Sequence, residues 1–169
     1  MTQQIKDEQF WMHHAMQLAK KAEQQGEIPV GAVIVANNEL VAEGWNQCIT
    51  TNDPTAHAEI VAIRAAGEKL QNYRIVDTTL YVTLEPCPMC VGAIVHARIA
   101  KVVFGASDHK TGAVHSAMNL LEHESHNHKV EQQSGVCQQD CSSQLSAFFK
   151  KRRAEKKALK QQLSNQDES

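Results

Sequence analysis

Apolar residues recur along the chain with two periods, one typical of helices and the other typical of strands. Between residues 5 and 25 they repeat every three or four positions, which predicts a helix that ends at Gly26. The members of this apolar face are Trp11, Ala15, Leu18, Ala19 and Ala22. Two apolar runs follow at 30–36 and 40–48, and the Asn-Asn pair between them predicts a hairpin of two strands.

Strands and helices alternate through the rest of the chain. Asp53 and Pro54 are predicted to cap and begin a helix that runs to about Leu70. Further strands are predicted at 78–84, 101–106 and, more weakly, 129–135, and further helices at 88–96, 116–122 and 138–162. A hairpin followed by alternating helices and strands predicts an α/β domain of three layers, α/β/α, with a central mixed five-stranded sheet.

Length and composition favour a single globular domain. A chain of 169 residues, 42% hydrophobic and 21% charged, is ordinary for one domain, which is expected to span residues 1–163. The polar residues 164–169 are expected to form a disordered tail. No apolar run suits a signal peptide or a membrane span, and the five cysteines are expected to be thiols in a reducing, cytoplasmic compartment.

Positive charge is concentrated near the C-terminal end. Residues 150–160 contain seven basic residues and one acidic residue, so this segment carries +6. The whole chain carries −2, and the remainder therefore carries −8. A basic block on an acidic domain indicates an anionic partner such as nucleic acid. The alternative is a solvated helix face, which is the commoner explanation of charge runs in general.

Two short motifs carry residue types that bind metals. Cys87 and Cys90 lie in "EPCPMC", where a predicted strand passes into a helix whose N-terminus stabilises thiolates. His57 and Glu59 lie in "PTAHAE", in the first turn of another predicted helix. One imidazole and two thiolates leave an open fourth position on zinc, as in catalytic rather than structural sites. Glu59 then suits a proton shuttle, and the combined pattern, H-x-E with P-C-x-x-C, is typical of zinc nucleobase deaminases.

Other roles for the cysteines remain open on sequence alone. A C-x-x-C pair can be a redox pair, although this leaves His57 and Glu59 without a role. A structural zinc site needs a fourth protein ligand, and Cys48 is the thiol that would supply it. A second metal site is a further hypothesis, although a polar loop and ordinary helical thiols are favoured there. Its ligands would be His126, His128, Cys137 and Cys141.

The chain resembles the cytidine deaminase-like superfamily and, within it, the bacterial tRNA-specific adenosine deaminases. The resemblance runs from about Phe10 to Arg153 and includes "DPTAHAEI" and "TLYVTLEPCPMC". The cores of these two motifs also occur in guanine deaminases of the superfamily, so they indicate the chemistry but not the substrate. The other matching segments are "PVGAVIV", "GWN", "NYR", "GAIVHARI", "VVFGASDHKTGA" and "FFKKRR", of which the last three resemble the tRNA branch.

The resemblance implies a cytidine deaminase-like fold and hydrolytic deamination of adenosine to inosine at the wobble position of a tRNA anticodon. The family uses zinc-activated water, so His57, Cys87 and Cys90 would hold one zinc ion per subunit while Glu59 moves protons. The implied partner is a tRNA anticodon stem-loop, and the implied assembly is a homodimer in the cytoplasm. The alternatives are a deaminase of free guanine or cytosine and a non-catalytic, zinc-stabilised RNA-binding module.

Five further residues are implied as contacts with the substrate. Asn46 in "GWN" resembles a residue that hydrogen-bonds the target nucleoside, and Asp108 in "GASDHKTG" resembles one that contacts the RNA backbone or a 2′-hydroxyl. Phe149, Arg152 and Arg153 in "FFKKRR" combine an aromatic ring with cations that suit bases and phosphates. A turn asparagine and a capping aspartate are the alternatives for the first two residues.

Overall fold

Nine regular elements build the fold in this computed structural model, which describes residues 5–168. The helices are α1 (Glu8–Gln24), α2 (Ala58–Leu70), α3 (Pro88–His96) and α4 (Gln138–Asp167). The strands are β1 (Gly31–Ala36), β2 (Glu39–Trp45), β3 (Thr79–Leu84), β4 (Lys101–Ala106) and β5 (Glu131–Gln133). Along the chain, the hairpin of β1 and β2 precedes alternating helices and strands, as predicted.

The five strands form one mixed sheet in the order β2-β1-β3-β4-β5. Strand β1 pairs antiparallel with β2 and β3, whereas β4 pairs parallel with β3 and β5. The hairpin turn places Asn37 and Asn38 at φ values of 50° and 57°, which is the backbone that a tight two-residue turn requires. Because β3 and β4 are parallel, their carboxyl ends lie side by side, and their last residues, Leu84 and Ala106, pair with each other. The loops that follow these strands therefore begin side by side.

The sheet lies between two pairs of helices. Helices α1 and α4 pack on one face, and α2 and α3 pack on the other. Neighbouring strand residues enter opposite layers, since Val33 and Tyr81 join the α1 side whereas Ile34 and Leu80 join the α2 side. The central strands are thus buried on both faces, which explains their apolar and β-branched composition. The predicted three-layer α/β/α fold with a mixed five-stranded sheet is confirmed.

Helix α2 begins later than predicted. Asp53 does not cap it, because the Asp53 carboxylate accepts hydrogen bonds from the amide and hydroxyl of Thr55, at 2.8 and 2.7 Å, and from Arg64 at 3.3 Å. These bonds hold the segment in a turn of the kind that aspartate favours. The helix consequently begins at Ala58, with His57 rather than Asp53 as its N-cap residue.

The helix predicted at 116–122 does not form. The chain turns repeatedly here, and the backbone amides of residues 114–116 all donate to the carboxylate of Glu85, at 3.0 to 3.1 Å. Glu85 lies about thirty residues earlier in the sequence. A carboxylate that is distant in the sequence therefore fixes the conformation of this segment. The local pattern of apolar residues gives no indication of this interaction.

Several elements have other ends than predicted, and strand β2, predicted at 40–48, ends at Trp45. Strand β5 is limited to Glu131–Gln133, and α4 continues to Asp167, beyond the predicted end at 162. Residues 1–4 and 169 lie outside the described residues, and the predicted domain boundary at 163 stays a prediction. Within residues 5–168, no helix combines the length and the apolar character that crossing a bilayer requires.

Candidate active site and metal centre

His57 and Cys87 occupy equivalent positions at the starts of two helices. His57 is the N-cap residue of α2, Cys87 is the N-cap residue of α3, and both have an extended backbone. Pro88 begins α3 directly after Cys87, and its fixed φ suits the first helical position. Neither N-cap side chain bonds the backbone of its own helix. The imidazole and the thiol are therefore available to a shared ligand.

The three predicted zinc ligands converge. The Nδ1 atom of His57 lies 3.5 Å from the sulfur of Cys87 and 3.5 Å from the sulfur of Cys90. Tetrahedral zinc, with bonds of about 2.1 Å to nitrogen and about 2.3 Å to sulfur, holds such ligand atoms about 3.6 Å apart. The residues present therefore fit zinc. Within residues 5–168, no other His, Cys, Asp or Glu joins these three, which matches a site with an open fourth position.

Hydrogen bonds among the three ligands polarise the site. A bond from the Cys90 thiol, with a further one from His57, lowers the pKa of Cys87 to about 4. The bond between the two sulfurs, together with burial, raises the pKa of Cys90. The bond to the Cys87 sulfur also raises the pKa of His57. The group thus already favours a thiolate at Cys87, and a bound cation would release the remaining protons.

Glu59 lies in the first turn of α2 and is 4% exposed. Burial raises the pKa of its carboxyl group, and a hydrogen bond with Cys90 acts in the opposite direction. A divalent cation held by His57, Cys87 and Cys90 would also oppose this rise, because a nearby positive charge favours the carboxylate. Glu59, His57 and Cys87 all border one cavity, so the carboxyl group can exchange protons with a molecule bound there.

This cavity has a volume of about 570 Å³ and is lined by residues from several separate parts of the chain. Its lining residues are Ile28, Val30, Asn46, His57, Glu59, Leu84, Glu85, Cys87, Ser107, Asp108, His109, Lys110, Thr111, Leu145 and Phe149. We use two names for the candidate functional residues in and around this cavity. The inner group consists of His57, Glu59, Cys87 and Cys90. The outer group consists of Asn46, Asp108, Phe149, Arg152 and Arg153, the five residues implied as substrate contacts.

Asn46 and Asp108 border the cavity, and both have partners within the chain. The Asn46 side chain donates to the Ile28 carbonyl at 3.1 Å and accepts from the Ala58 amide at 2.9 Å, so it braces the start of α2. The Asp108 carboxylate accepts from two amides and one hydroxyl of its own loop, at 2.8 to 3.1 Å. These are the bonds of a structural asparagine and a capping aspartate. Contact with substrate stays a prediction for both residues.

Helix α4 supplies the rest of the outer group. Phe148 is buried, whereas Phe149 is 41% exposed and borders the cavity. The guanidinium of Arg152 lies 5.0 Å from the centre of the Phe148 ring and donates to the Gly26 carbonyl at 2.5 Å. Arg152 therefore ties α4 to the loop after α1, a contact that the sequence does not indicate. Arg153 is exposed, and phosphate binding stays a prediction for both arginines.

Two buried glutamates hold loops near the cavity, and sequence analysis missed both. Glu27 and Glu85 are each 2% exposed. The Glu27 carboxylate accepts from two amides, at 3.0 and 2.7 Å, and from the Thr50 hydroxyl at 2.7 Å. Burial acts to raise the pKa of both glutamates, but hydrogen bonds, above all from the hydroxyls of Thr50 and Ser116, outweigh it and lower the pKa. Glu85 lies two residues before Cys87, and this position is the one feature of the sequence that could have indicated its role. No feature of the sequence indicates the role of Glu27.

The alternative metal ligands lie elsewhere in the structure. The sulfur of Cys48 lies 3.9 Å from a backbone carbonyl of its own loop and does not join the inner group. The hypothetical second metal site does not form within residues 5–168. His126 and His128 bond separate backbone carbonyls, at 2.8 and 2.7 Å, while Cys141 is buried and Cys137 faces a histidine of α1 at 3.9 Å. That hypothesis is wrong.

Known proteins have sequences similar to this chain. Residues 5–106, which contain the whole inner group, match the cytidine and deoxycytidylate deaminase zinc-binding region. A tRNA-specific adenosine deaminase of Haemophilus influenzae is 54% identical to the chain over 155 residues. This alignment covers 91% of the chain and 90% of that protein.

Two solved structures have a similar fold. One comes from studies of A-to-I editing by tRNA:A34 deaminases at the wobble position of transfer RNA. It has a TM-score of 0.78 and 39% identity, over 80% of this chain and 98% of that one. The other is a guanine deaminase from Bacillus subtilis, with a TM-score of 0.59 and 36% identity, over 74% and 83% of the two chains. The chain described here belongs to the zinc-binding cytidine and deoxycytidylate deaminase family and, within it, to the tRNA-specific adenosine deaminases.

Proposed function

We propose that this protein hydrolyses adenosine to inosine at the wobble position of a tRNA anticodon. One observation carries the proposal: a single cavity is bordered both by His57, Glu59 and Cys87 of the inner group and by Asn46, Asp108 and Phe149 of the outer group. A reacting base and the nucleotides beside it can thus be held in one place. The relative that is 54% identical is a tRNA-specific adenosine deaminase, which supports adenosine in tRNA as the substrate, and the similar structure from work on tRNA:A34 deaminases supports the wobble position.

The inner group divides the chemical work between metal ligands and a proton carrier. Zinc held by His57, Cys87 and Cys90 would act as a Lewis acid and lower the pKa of water toward neutrality. Glu59 takes a proton from the attacking water and delivers it to N1 of adenine while the water oxygen bonds C6. Glu59 then carries the second proton to the amino group, which leaves as ammonia. Proton transfer of this kind contributes about 10²–10⁴-fold to the rate.

The outer group supports RNA as the substrate. The exposed ring of Phe149 offers a surface on which a base can stack, which is worth about 1–3 kcal/mol per base. Residues 150–160 carry +6, and residues 153–167 of α4 are all exposed. Exposed cations attract phosphates, and this attraction dominates the affinity of many proteins for nucleic acids. A free base has no phosphate, so this segment favours RNA.

The proposal extends to a homodimer that acts in the cytoplasm, as the family resemblance implies. The chain has a mass of 18.8 kDa, so sedimentation velocity should give one species of twice that mass. A species of 18.8 kDa at micromolar concentration would contradict the dimer. Cell fractionation should recover the protein with the cytoplasmic fraction, and recovery with membranes would contradict the location.

A comparison of substrates tests the proposed reaction. Zinc-loaded protein would be incubated with an anticodon stem-loop that carries adenosine at the wobble position, and separately with free guanine, cytosine and adenosine. A stem-loop with adenosine only at the neighbouring position is the matched control. Mass spectrometry should find inosine in the first RNA alone.

The other outcomes of this assay support other functions. Turnover of guanine without inosine in RNA would favour a free-base deaminase, which the similarity to a guanine deaminase of Bacillus subtilis makes the second candidate. Full zinc content without release of ammonia from any substrate would favour a non-catalytic RNA-binding module. Either result would overturn the proposal.

A further inference from the structure

Glu85 is a buried carboxylate that receives five hydrogen bonds from one distant loop. It is 2% exposed and lies between the end of β3 and Cys87. One carboxylate oxygen accepts from the Asp108 amide at 3.1 Å and from the Ser116 hydroxyl. The other oxygen accepts from three consecutive amides of residues 114–116, at 3.0 to 3.1 Å. No ion pair with Glu85 occurs within residues 5–168, so these donors stabilise the buried group.

The donors belong to the loop of residues 107–117, which closes tightly around this carboxylate. A Cβ atom at Gly112 would lie 2.5 Å from the carboxyl carbon of Glu85, so the close approach requires glycine. The Ala113 amide also donates to the Pro86 carbonyl at 2.8 Å. The loop contains no helix or strand, so these bonds set its position. Its residues 107–111 form one wall of the cavity.

We propose that Glu85 is a positioning residue that fixes the wall of residues 107–111 relative to the metal ligand Cys87. The proposal rests on the proposed function, because this wall is where the target nucleotide would bind. The backbone connects Glu85 to Cys87 through Pro86, and the carboxylate connects it to Asp108. One residue thus joins the inner group to the outer group. Substitution of Glu85 should displace the wall and leave the three ligands in place.

Glu85→Gln tests the proposal with little change in volume. An amide nitrogen cannot accept a hydrogen bond, so glutamine leaves about two or three of the five donors without an acceptor. The full-length variant, loaded with zinc, should bind as much zinc as the wild type. On the anticodon stem-loop, KM should rise roughly tenfold while kcat changes less than about threefold. Hydrogen exchange should accelerate in residues 107–117 and not in α2 or α3.

Glu27→Gln is the matched control. Glu27 is buried to the same degree, and its carboxylate holds residues 49–50 instead of 107–117. This variant should accelerate exchange at 49–50 and leave 107–117 unchanged. If Glu85→Gln fails to fold, Ser116→Ala removes the hydroxyl donor alone. It should give a smaller rise in KM, again with full zinc content.

Three results would overturn the proposal. Unchanged exchange in 107–117 would mean that Glu85 does not hold the loop. Joint loss of zinc and kcat would mean that Glu85 supports the ligand turn instead. Faster exchange throughout the chain would mean that it supports global stability. Failure of the proposed function differs from all three, because wild-type protein would then make no inosine while exchange in 107–117 would still report the anchor.

Discussion

The inner and outer groups of the cavity are built in different ways. The inner group stands on the first turns of α2 and α3, and its members contact one another directly. The outer group stands on loops and on α4. The side chains of Asn46 and Arg152 bond other parts of the chain, and the backbone amide of Asp108 donates to Glu85. The metal ligands and Glu59 therefore depend on two helix starts, whereas the residues proposed to contact the substrate depend on bonds between loops and distant parts of the chain.

Removal of one metal ligand should have the largest effect, because it breaks the inner group. Cys90→Ala should lose most of its bound zinc and all deamination, since two remaining ligands hold the metal too weakly. Cys48→Ala is the control and should keep its zinc, because its sulfur faces a carbonyl of its own loop. Atomic absorption after gel filtration measures the metal content. Equal zinc in the two variants would contradict the ligand assignment.

Removal of the proton carrier should separate chemistry from metal binding. Glu59→Ala should lower kcat by about 10²–10⁴-fold and keep its zinc, because Glu59 lies beside the ligands without being one. Single-turnover formation of inosine measures the rate. Glu68→Ala, an exposed glutamate on the same helix, should retain the wild-type rate. Wild-type turnover by Glu59→Ala would show that another group moves the protons.

Substitution of Gly44, which lies in β2 beneath helix α2, should reduce stability by a moderate amount. A Cβ atom at Gly44 of β2 would lie 2.3 Å from the Ala58 carbonyl oxygen and 2.6 Å from the Ala62 amide nitrogen, so Gly44→Ala must push α2 away from the sheet. Overpacking of this kind costs about 1–3 kcal/mol of the free energy of unfolding. Zinc affinity should also fall, because His57 precedes Ala58.

Gly92→Ala is the matched control for this change. A Cβ atom at Gly92 has no neighbour within 4 Å, and alanine favours a helix interior over glycine by about 0.5–1 kcal/mol. Urea denaturation should therefore show a loss of stability for Gly44→Ala and none for Gly92→Ala. Similar midpoints for both variants would refute the close packing of α2 on β2.

Acid should weaken the bonds by which Glu27 holds residues 49–50, and this change should have the smallest effect. Hydrogen bonds outweigh burial and lower the pKa of Glu27 in the folded state. Its contribution to stability is therefore present above its unfolded pKa, about 4.3, and is lost as the pH falls through the folded value. Between pH 7 and about pH 3.5, wild-type protein should lose more free energy of unfolding than Glu27→Gln does. Parallel losses in urea titrations would contradict this role.

The inner group could be predicted from the sequence because its determinants are local. "PTAHAE" and "EPCPMC" each place their ligands at the start of a helix that follows a strand of the sheet, and the folded chain then brings the two starts together. The sheet was predictable for a related reason, since each strand shows its own apolar pattern. Short segments of the sequence are therefore enough to predict both the metal ligands and the strands of the sheet.

The contacts that hold the loops around the cavity could not be predicted in the same way. The turn at Asp53 and the absence of a helix at 116–122 both result from side-chain bonds that compete with helix formation. The acceptor for residues 114–116 is Glu85, and the partner of Arg152 is the carbonyl of Gly26. Such partners lie far apart in the sequence and carry no periodic signal. The conformations of the loops near the cavity therefore could be determined only from the structure.

The most direct test of the division between the two groups uses one RNA and two variants. Binding and single-turnover deamination of the anticodon stem-loop would be measured for Glu59→Ala and for Arg153→Ala. Glu59→Ala should bind the RNA with the wild-type Kd and form almost no inosine. Arg153→Ala should bind more weakly, with a shallower dependence on salt, and should reach the wild-type rate at saturating RNA. Loss of both binding and rate in each variant would contradict the separation of chemistry from recognition.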